Sequence, residues 1–395
     1  MEVFLKKYSF LSLIFLALGK AQEEFSSNLD TSIRPQSSSK TPQELSPPPI
    51  SSENKKPTLI YGFDFDFFAD NLENSSPFWD TRTIISTRLM PEIGVNFFGQ
   101  NLRIGGYFTL DMGEKYPQKW GTTLSYDFKS KEFSGFFGIF SKKYRIGQYP
   151  LMFFRNDYDY FHPLINGAMF QYQTNQDNTA LKHSLEAELI LDWYGGDLKK
   201  RIDEFLVQGS LKQSFWNKLL FWGASFVLYH TKNDGFLNLD GHNFDTYLLD
   251  RLYYQAYLGS NLTHLTSSLD NLSFQFGILS SLERKRRLST GLDPFSNQFG
   301  WQFESDIAFR GFGINNHLYW GDKQYKYFHQ YGEDFYAGLP FYQNTLYNRT
   351  EFYYSYQTPY LKVKASFILH FTPKQTANQQ MITIVLDSEK LLSLF

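Results

Sequence analysis

The chain has 395 residues, a formal net charge of −2 and no cysteine. That charge argues against a protein built mainly to hold nucleic acid, which needs a basic surface. The missing cysteines exclude a disulfide framework and the acylated N-terminal cysteine of a lipoprotein. Phe, Tyr and Trp make up 19% of the residues, yet the mean hydropathy is negative. A wall whose alternate residues face lipid and water reconciles the two values. Beyond the N-terminus no segment has about 18 consecutive apolar residues, which excludes a helical membrane protein.

In chain order, Lys6 and Lys7 precede an apolar run from Tyr8 to Leu18, and Gly19 and Ala21 supply small residues for cleavage. Residues 1–21 are therefore expected to be an export signal, too short in its apolar part to span a bilayer. Residues 22–57 are rich in Ser, Pro, Gln and Glu, with Phe25 their single aromatic. They are expected to be a disordered linker, because such a stretch cannot bury enough apolar surface to offset its chain entropy.

From Thr58 the pattern changes to strict alternation. Tyr61, Phe63, Phe65 and Phe67 share one face, opposite Gly62, Asp64 and Asp66. Successive side chains of a strand point to opposite sides, so this strand has an aromatic face and a charged one. The same alternation sets Ile85, Thr87, Leu89 and Ile93 against Arg88 and Glu92, and Leu102, Ile104 and Phe108 against Arg103 and Asp111. It returns with Leu185, Leu189 and Trp193 opposite Glu186, Glu188 and Asp192, with Trp301 and Phe303 opposite Glu304 and Asp306, and with Val363 and Phe367 opposite Lys362 and Lys364. About sixteen such segments are predicted, within a range of about fourteen to eighteen. Short turns at Gln100-Asn101, 129–131, 215–217, Arg310-Gly311 and 357–359 alternate with longer connections at 69–81, 113–119, 142–164, 231–248, 282–297 and 321–347. The turn near 260–270 is longer than this rule prefers. A soluble β-sandwich has no reason to keep the parity, whereas a membrane barrel has short turns at one end and long loops at the other.

The alternating aromatic strands, the parity of the connections, the export signal and the terminal Phe395 together resemble bacterial outer-membrane porin-like β-barrels over residues 58–395. The resemblance is architectural; no single motif carries it. It implies an all-β fold, a single transmembrane antiparallel up-and-down barrel with long outer loops and short periplasmic turns. It also implies a Gram-negative outer membrane as the location, contacts with outer-membrane lipids, a barrel-assembly machinery that reads the terminal aromatic, and a homotrimer as the assembly. Asp387-Ser-Glu-Lys390 separates the last clear strand, Met381 to Leu386, from Phe395, which departs from the pattern and leaves the last strand's register open.

Sites of covalent chemistry are not found. The sequence has no metalloprotease, nucleophile-elbow, phosphate-loop or dinucleotide motif, and its histidines are scattered without metal-ligand spacing. His183 and Ser184 are neighbours on a strand and point apart. No cofactor is expected. The loop 142–163 is dense in aromatics and carries Lys142, Lys143, Arg145, Arg155, Asp157 and Asp159. A loop this apolar should not extend into water, so it is expected either to fold into the lumen as a constriction with a transverse field or to pack on the rim. Inward charges by this register are Asp64, Asp66, Glu92, Asp111, Glu186, Glu188, Asp192, Glu304 and Asp306, against Arg88, Arg103, Lys212, Arg251, Lys362 and Lys364. The acidic excess suggests a weak preference for cations. Arg284, Lys285, Arg286 and Arg287, read as part of a loop, are either a solvated run or a contact to lipopolysaccharide phosphates.

Sixteen strands enclose an aqueous lumen. The expected function is therefore passive diffusion of small polar solutes without enzymatic chemistry. A surface structural or adhesion protein and, less favoured, an outer-membrane lipid hydrolase are the alternatives.

Overall fold

A computed structural model describes residues 57–74, 81–174, 183–197, 202–233, 247–266, 268–287, 291–333 and 335–389. The export signal, nearly all of the linker and Phe395 lie outside these residues.

The chain folds as the strands β1 (Thr58–Glu73), β2 (Arg82–Phe97), β3 (Gln100–Asp111), β4 (Lys119–Lys129), β5 (Phe133–Ser141), β6 (Leu164–Gln173), β7 (Ser184–Asp197), β8 (Ile202–Phe215) and β9 (Leu220–Asn233). These are followed by β10 (Tyr247–Asn261), β11 (Asn271–Arg287), the two-residue β12 (Gly291–Leu292), β13 (Ser296–Phe309), β14 (Phe312–Gly321), β15 (Leu346–Gln357), β16 (Leu361–Phe371) and β17 (Thr376–Asp387). β12 pairs only with the end of β11. The other sixteen strands each pair antiparallel with their chain neighbours, and β17 pairs with β1 from Asp64↔Asp387 to Glu73↔Asn378. The sheet therefore closes as a sixteen-stranded barrel with no open edge.

The period of two sets what each wall face meets. On β1, Tyr61 and Phe63 are exposed on the outside while Asp64, Asp66, Phe68, Asp70 and Leu72 are buried on the inside. Leu89, Ile104, Phe108, Leu189, Leu191, Trp193, Trp301, Ile307, Phe352 and Phe367 continue the apolar exterior around the barrel. Exposure of so many large apolar side chains is unstable in water and is what a lipid-facing wall requires.

Two hairpin ends show how the local sequence makes the short turns. Phe98 and Gly99 have φ of 54° and 77°, and Arg310 and Gly311 have 50° and 80°. Two central residues in the left-handed region match the right-handed twist of the strands they join, and glycine adopts that region without strain. The first turn thus falls at 98–99, just before the predicted Gln100-Asn101. Short connections also join β4 to β5, β8 to β9 and β15 to β16, whereas 174–183 and 262–270 are longer exceptions at this end. The opposite end carries 142–163, 234–246 and 322–345.

Two expectations change. The basic run Arg284–Arg287 belongs to β11 and not to a loop, because β11 pairs with β10 as far as Leu249↔Lys285. The last strand is longer than Met381 to Leu386, and its register is fixed on both sides by β16 and β1. Past Asp387 the chain turns towards the lumen. Ser388 Oγ accepts from the Phe63 backbone N–H at 2.5 Å, and the Glu389 carboxylate takes two bonds from Arg103, at 3.0 and 3.1 Å.

Candidate functional site

The lumen is not an open tube. The connection 142–163 enters it through a 3₁₀ turn, Lys142–Tyr144, and a six-residue helix, Asn156–Phe161. Its path is pinned by the wall at several points. Glu188 on β7 accepts the backbone N–H of Ile146 (2.7 Å) and of Gly147 (3.2 Å), the Tyr149 hydroxyl (2.9 Å) and the Gln171 amide (2.8 Å). Gly147 suits this approach, since a Cβ there would stand 2.6 Å from Glu188 Oε1 and 2.8 Å from Ser210 Cβ. On the opposite side Tyr160 stacks on Phe68 of β1 with ring centroids 4.8 Å apart, and Arg88 donates to the Tyr160 carbonyl.

A second connection, 322–345, folds inward against the first, which the sequence reading did not anticipate. Arg155 N donates to Ala337 O at 2.8 Å, Leu339 N to Leu151 O at 2.9 Å, and the Tyr325 hydroxyl to Met152 O at 2.6 Å. At this junction a Cβ on Gly338 would fall 1.9 Å from Met152 O and 2.1 Å from the Tyr325 hydroxyl, so only glycine fits. Wall carboxylate Glu283 holds the second connection by accepting from Tyr336 (2.9 Å), and it also accepts from Tyr253 of β10 (3.4 Å). The signal was present in the sequence. Tyr325, Tyr327, Phe328, Tyr336, Phe341 and Tyr342 make 322–345 as apolar as 142–163, and the argument against an apolar loop in water applies equally.

Together the two connections build the largest apolar core of the described residues inside the barrel. Met152, Phe153 and Phe154 from one, with Tyr325, Tyr336, Phe341 and Tyr342 from the other, pack on Leu72, Leu206, Val227, Tyr253, Leu279, Tyr319 and Tyr347 of the walls. This core bridges from β8–β11 to β14, β15, β17 and β1.

The charged residues of 142–163 are brought together, but as ion pairs. Asp159 binds Lys142 (3.1 Å) and Arg145 (2.8 Å); Lys143 binds Asp64 of β1 (2.6 Å); Asp157 binds Arg155 (3.0 Å) and Arg82 of β2 (2.7 Å). The expected opposition of basic and acidic side chains across an aperture is thus replaced by local neutralisation. Burial pushes the Asp159 carboxyl up, but adjoining Arg145 and Lys142 outweigh this and hold it down at about 2. Burial, with the nearby charges of Lys142, Lys119 and Arg155, lowers His162 to about 4 against the pull of its bond to the Tyr158 carbonyl.

The wall charges fall on the inner face in paired sets. Arg88 binds Asp66 at 2.6 Å. Arg103 gathers Glu92 (2.8 Å), Glu389 (3.0 Å) and Asp127 (3.4 Å) near the turn end. Arg349 and Lys364 share Glu351, at 2.9 and 2.6 Å. Asp111 shares a face with Arg103, Glu186 stands beside Lys212 in register, and Lys362 sits inward and exposed at the turn end. Asp192 accepts from Asn166 N at 2.8 Å. Arg251 lies over the Phe335 ring at 4.1 Å. Of the basic run on β11, Arg284 points outward and binds Asp250 at 2.7 Å over the Phe295 ring. Lys285 donates to Gln330 at 3.0 Å; Arg286 and Arg287 continue the strand.

Between the loop layer and the turn-end residues Asn261 and Asn271 lies a cavity of about 830 Å³. Gln148, Tyr149, Asp159 and Tyr160 of 142–163 form its roof, and Lys212, Gln255, Glu304, Asp306, His317, Arg349 and Lys364 line its sides. Its size is that of a small-molecule site. Of the histidines, His162 bonds a carbonyl, His230 and His317 face Asp250 and Glu304, and His370 bonds Tyr347 and Gln379; none of these four bonds a serine.

No family model matches the chain, and no curated protein does. Solved structures do. An engineered variant of the Rh. blastica porin aligns over 84% of this chain and all of its own, at 11% identity and a TM-score of 0.40. Pseudomonas putida OprB aligns over 83% of this chain and 94% of its own, at 10% identity and a TM-score of 0.47. Pseudomonas aeruginosa OprD does so over the same shares, at 11% identity and 0.40. The barrel's own strand pairing, and not these distant likenesses, fixes its architecture.

Proposed function

We propose that the chain is an outer-membrane channel for small polar solutes in a Gram-negative bacterium, delivered there by a cleaved export signal. The observation that carries this is a closed sixteen-stranded wall, apolar outside and charged inside, around a polar cavity of about 830 Å³. A helix-free wall of this size is one of only two ways for a chain to cross lipid with its backbone groups satisfied. An apolar exterior with a charged interior makes water, not lipid, the occupant of the lumen.

In this reading the long connections face outward and the short turns face the periplasm. The connection 142–163 is the constriction, joined by 322–345, so the conducting path is narrow and runs along the charged side of the lumen. Arg284 at the outer rim is the residue best placed to meet lipopolysaccharide phosphate. Single-channel recording of the purified, folded protein in planar bilayers tests the proposal. Small, well-resolved current steps in a simple salt are expected. A folded barrel that passes no current would refute it and favour a structural or adhesive role for the aromatic loop layer.

A further inference from the structure

The wall is not level at its turn end. β1 pairs with β17 only from Asp64↔Asp387 onward, while its ladder with β2 begins at Thr58↔Asn96. β1 thus extends past its last partner in β17 by Thr58–Phe63, and the chain beyond Asp387 could have continued along this extension. It turns into the lumen instead. Asp387 N donates to Tyr360 O at 2.9 Å, which fixes the point of departure on the neighbouring turn. Ser388, 1% exposed, takes the Phe63 backbone N–H on its Oγ at 2.5 Å, so a side chain satisfies a donor at the end of the ladder.

The next contact reaches farther. Glu389 receives both terminal amino groups of Arg103 on β3, at 3.0 and 3.1 Å, in a fork that lies two strands from β1, roughly 10 Å across the inner face. Gly62 of β1 leaves the room for this path. A Cβ there would meet Ser388 Oγ at 3.4 Å and Glu389 Cβ at 3.6 Å, so the chain rests on bare backbone. The following inward residue of β1, Asp64, binds Lys143 of the connection 142–163 at 2.6 Å. The inner face of β1 therefore carries 142–163 and the inturned chain at consecutive positions. The hold is close in geometry and weak in charge. Arg103 already binds Glu92 at 2.8 Å and Asp127 at 3.4 Å, so Glu389 is the third carboxylate on one guanidinium. The three acids repel one another. Releasing Glu389, whose side chain is 37% exposed, leaves Arg103 with two partners.

We propose that the chain beginning at Ser388 is an autoinhibitory strap: seated on Gly62 and latched to Arg103, it narrows the turn-end mouth of the lumen, and its release widens that mouth. The proposal rests on the channel reading and adds to it a second restriction, separate from the long connections.

The chain has no cysteine, which allows a lock to be built into it. In the double variant Gly62→Cys with Glu389→Cys the two Cβ atoms would stand 3.6 Å apart, within the range of about 3.5–4.5 Å that a disulfide spans. The full-length variant, folded in detergent, is recorded in planar bilayers oxidised and again after reduction, so both states share one fold. The oxidised channel is expected to stay at its low current level. The reduced form also lacks the Arg103 fork, and is expected to release the strap and add a higher level. In Glu389→Gln the ratio of high to low dwell times is expected to rise about two- to fivefold, the effect of losing a partly exposed ion pair. Glu92→Gln, which frees Arg103 for Glu389, is expected to lower it. A disulfide that does not form overturns the seat on Gly62. A disulfide that forms while oxidised and reduced channels conduct alike overturns the strap and leaves the channel reading standing. A wild type that passes no current refutes the channel reading and the strap's effect with it, and the disulfide yield then judges the seat alone.

Discussion

Glu188→Ala should unseat the connection 142–163 while leaving the wall intact. The Glu188 carboxylate receives four hydrogen bonds, and three of them come from 142–163, two from backbone N–H groups. Removing it leaves Ile146 N–H and Gly147 N–H without an acceptor, at roughly 1–3 kcal/mol for each orphaned buried donor. Water from the adjoining cavity can reach part of this site, so the lower half of the range applies, about 2–4 kcal/mol in all. A loss of that size shifts the seated-to-open ratio of the connection by roughly 30- to 900-fold. The β7 strand keeps its ladder with β6 and β8, since Glu188 takes part in that ladder through its backbone alone. Planar-bilayer recording should therefore show a larger and noisier conductance, and limited trypsin treatment should cut at Arg145, which is held in the wild type by Asp159. Unchanged conductance together with unchanged cleavage would show that Glu188 does not hold the connection, and the constriction argument would fail with it.

The remaining predictions concern the same layer. Gly338→Ala inserts a methyl group where Met152 O and the Tyr325 hydroxyl already stand at 1.9 and 2.1 Å; it should separate the two connections, lower the thermal midpoint of the folded barrel and raise conductance, whereas an unaltered melt would show that the junction yields without cost. The seating of 142–163 should also depend on pH. His162 is held near 4, below its ordinary 6.5, so its contribution is complete above about pH 6.5 and is lost as pH falls towards 4. Asp159 is held near 2, below 3.8, so its contribution survives to about pH 4 and is lost only as pH falls through 2. Trypsin-independent probes of loop opening, such as current noise, should accordingly rise in two acid steps, and His162→Gln should remove the first; a single step unaffected by that variant would contradict the assignment.

Most of the wall was legible because its information is local. Tyr61, Phe63, Asp64 and Asp66 state their faces by alternation alone, and the period of two leaves no freedom once one face meets lipid. The number of strands followed from the turns between them. Errors appeared where charge was read as a sign of loop. Arg284–Arg287 looked like solvent-facing sequence, yet β11 carries it because its alternate residues find partners in Asp250 and Gln330. The pairing of Asp159 with Lys142 and Arg145 was beyond the sequence for a different reason. The same residue types can face one another across an aperture or join within one loop, and only the backbone path between 142 and 159 decides.

That path is itself explained by what the second connection needs. An aromatic segment such as 322–345 cannot rest against lipid at the loop end, because its backbone polar groups would lose water without gaining partners. Within the lumen, it finds Glu283 and Arg251 on the wall and the carbonyls of 151–152 on its neighbour. Once both connections are inside, apolar packing spans the lumen from β8–β11 to β14, β15, β17 and β1. The ion pairs Lys143–Asp64 and Arg82–Asp157 tie 142–163 to β1 and β2 as well, and Arg155 reaches the Glu333 and Tyr336 carbonyls of the second connection.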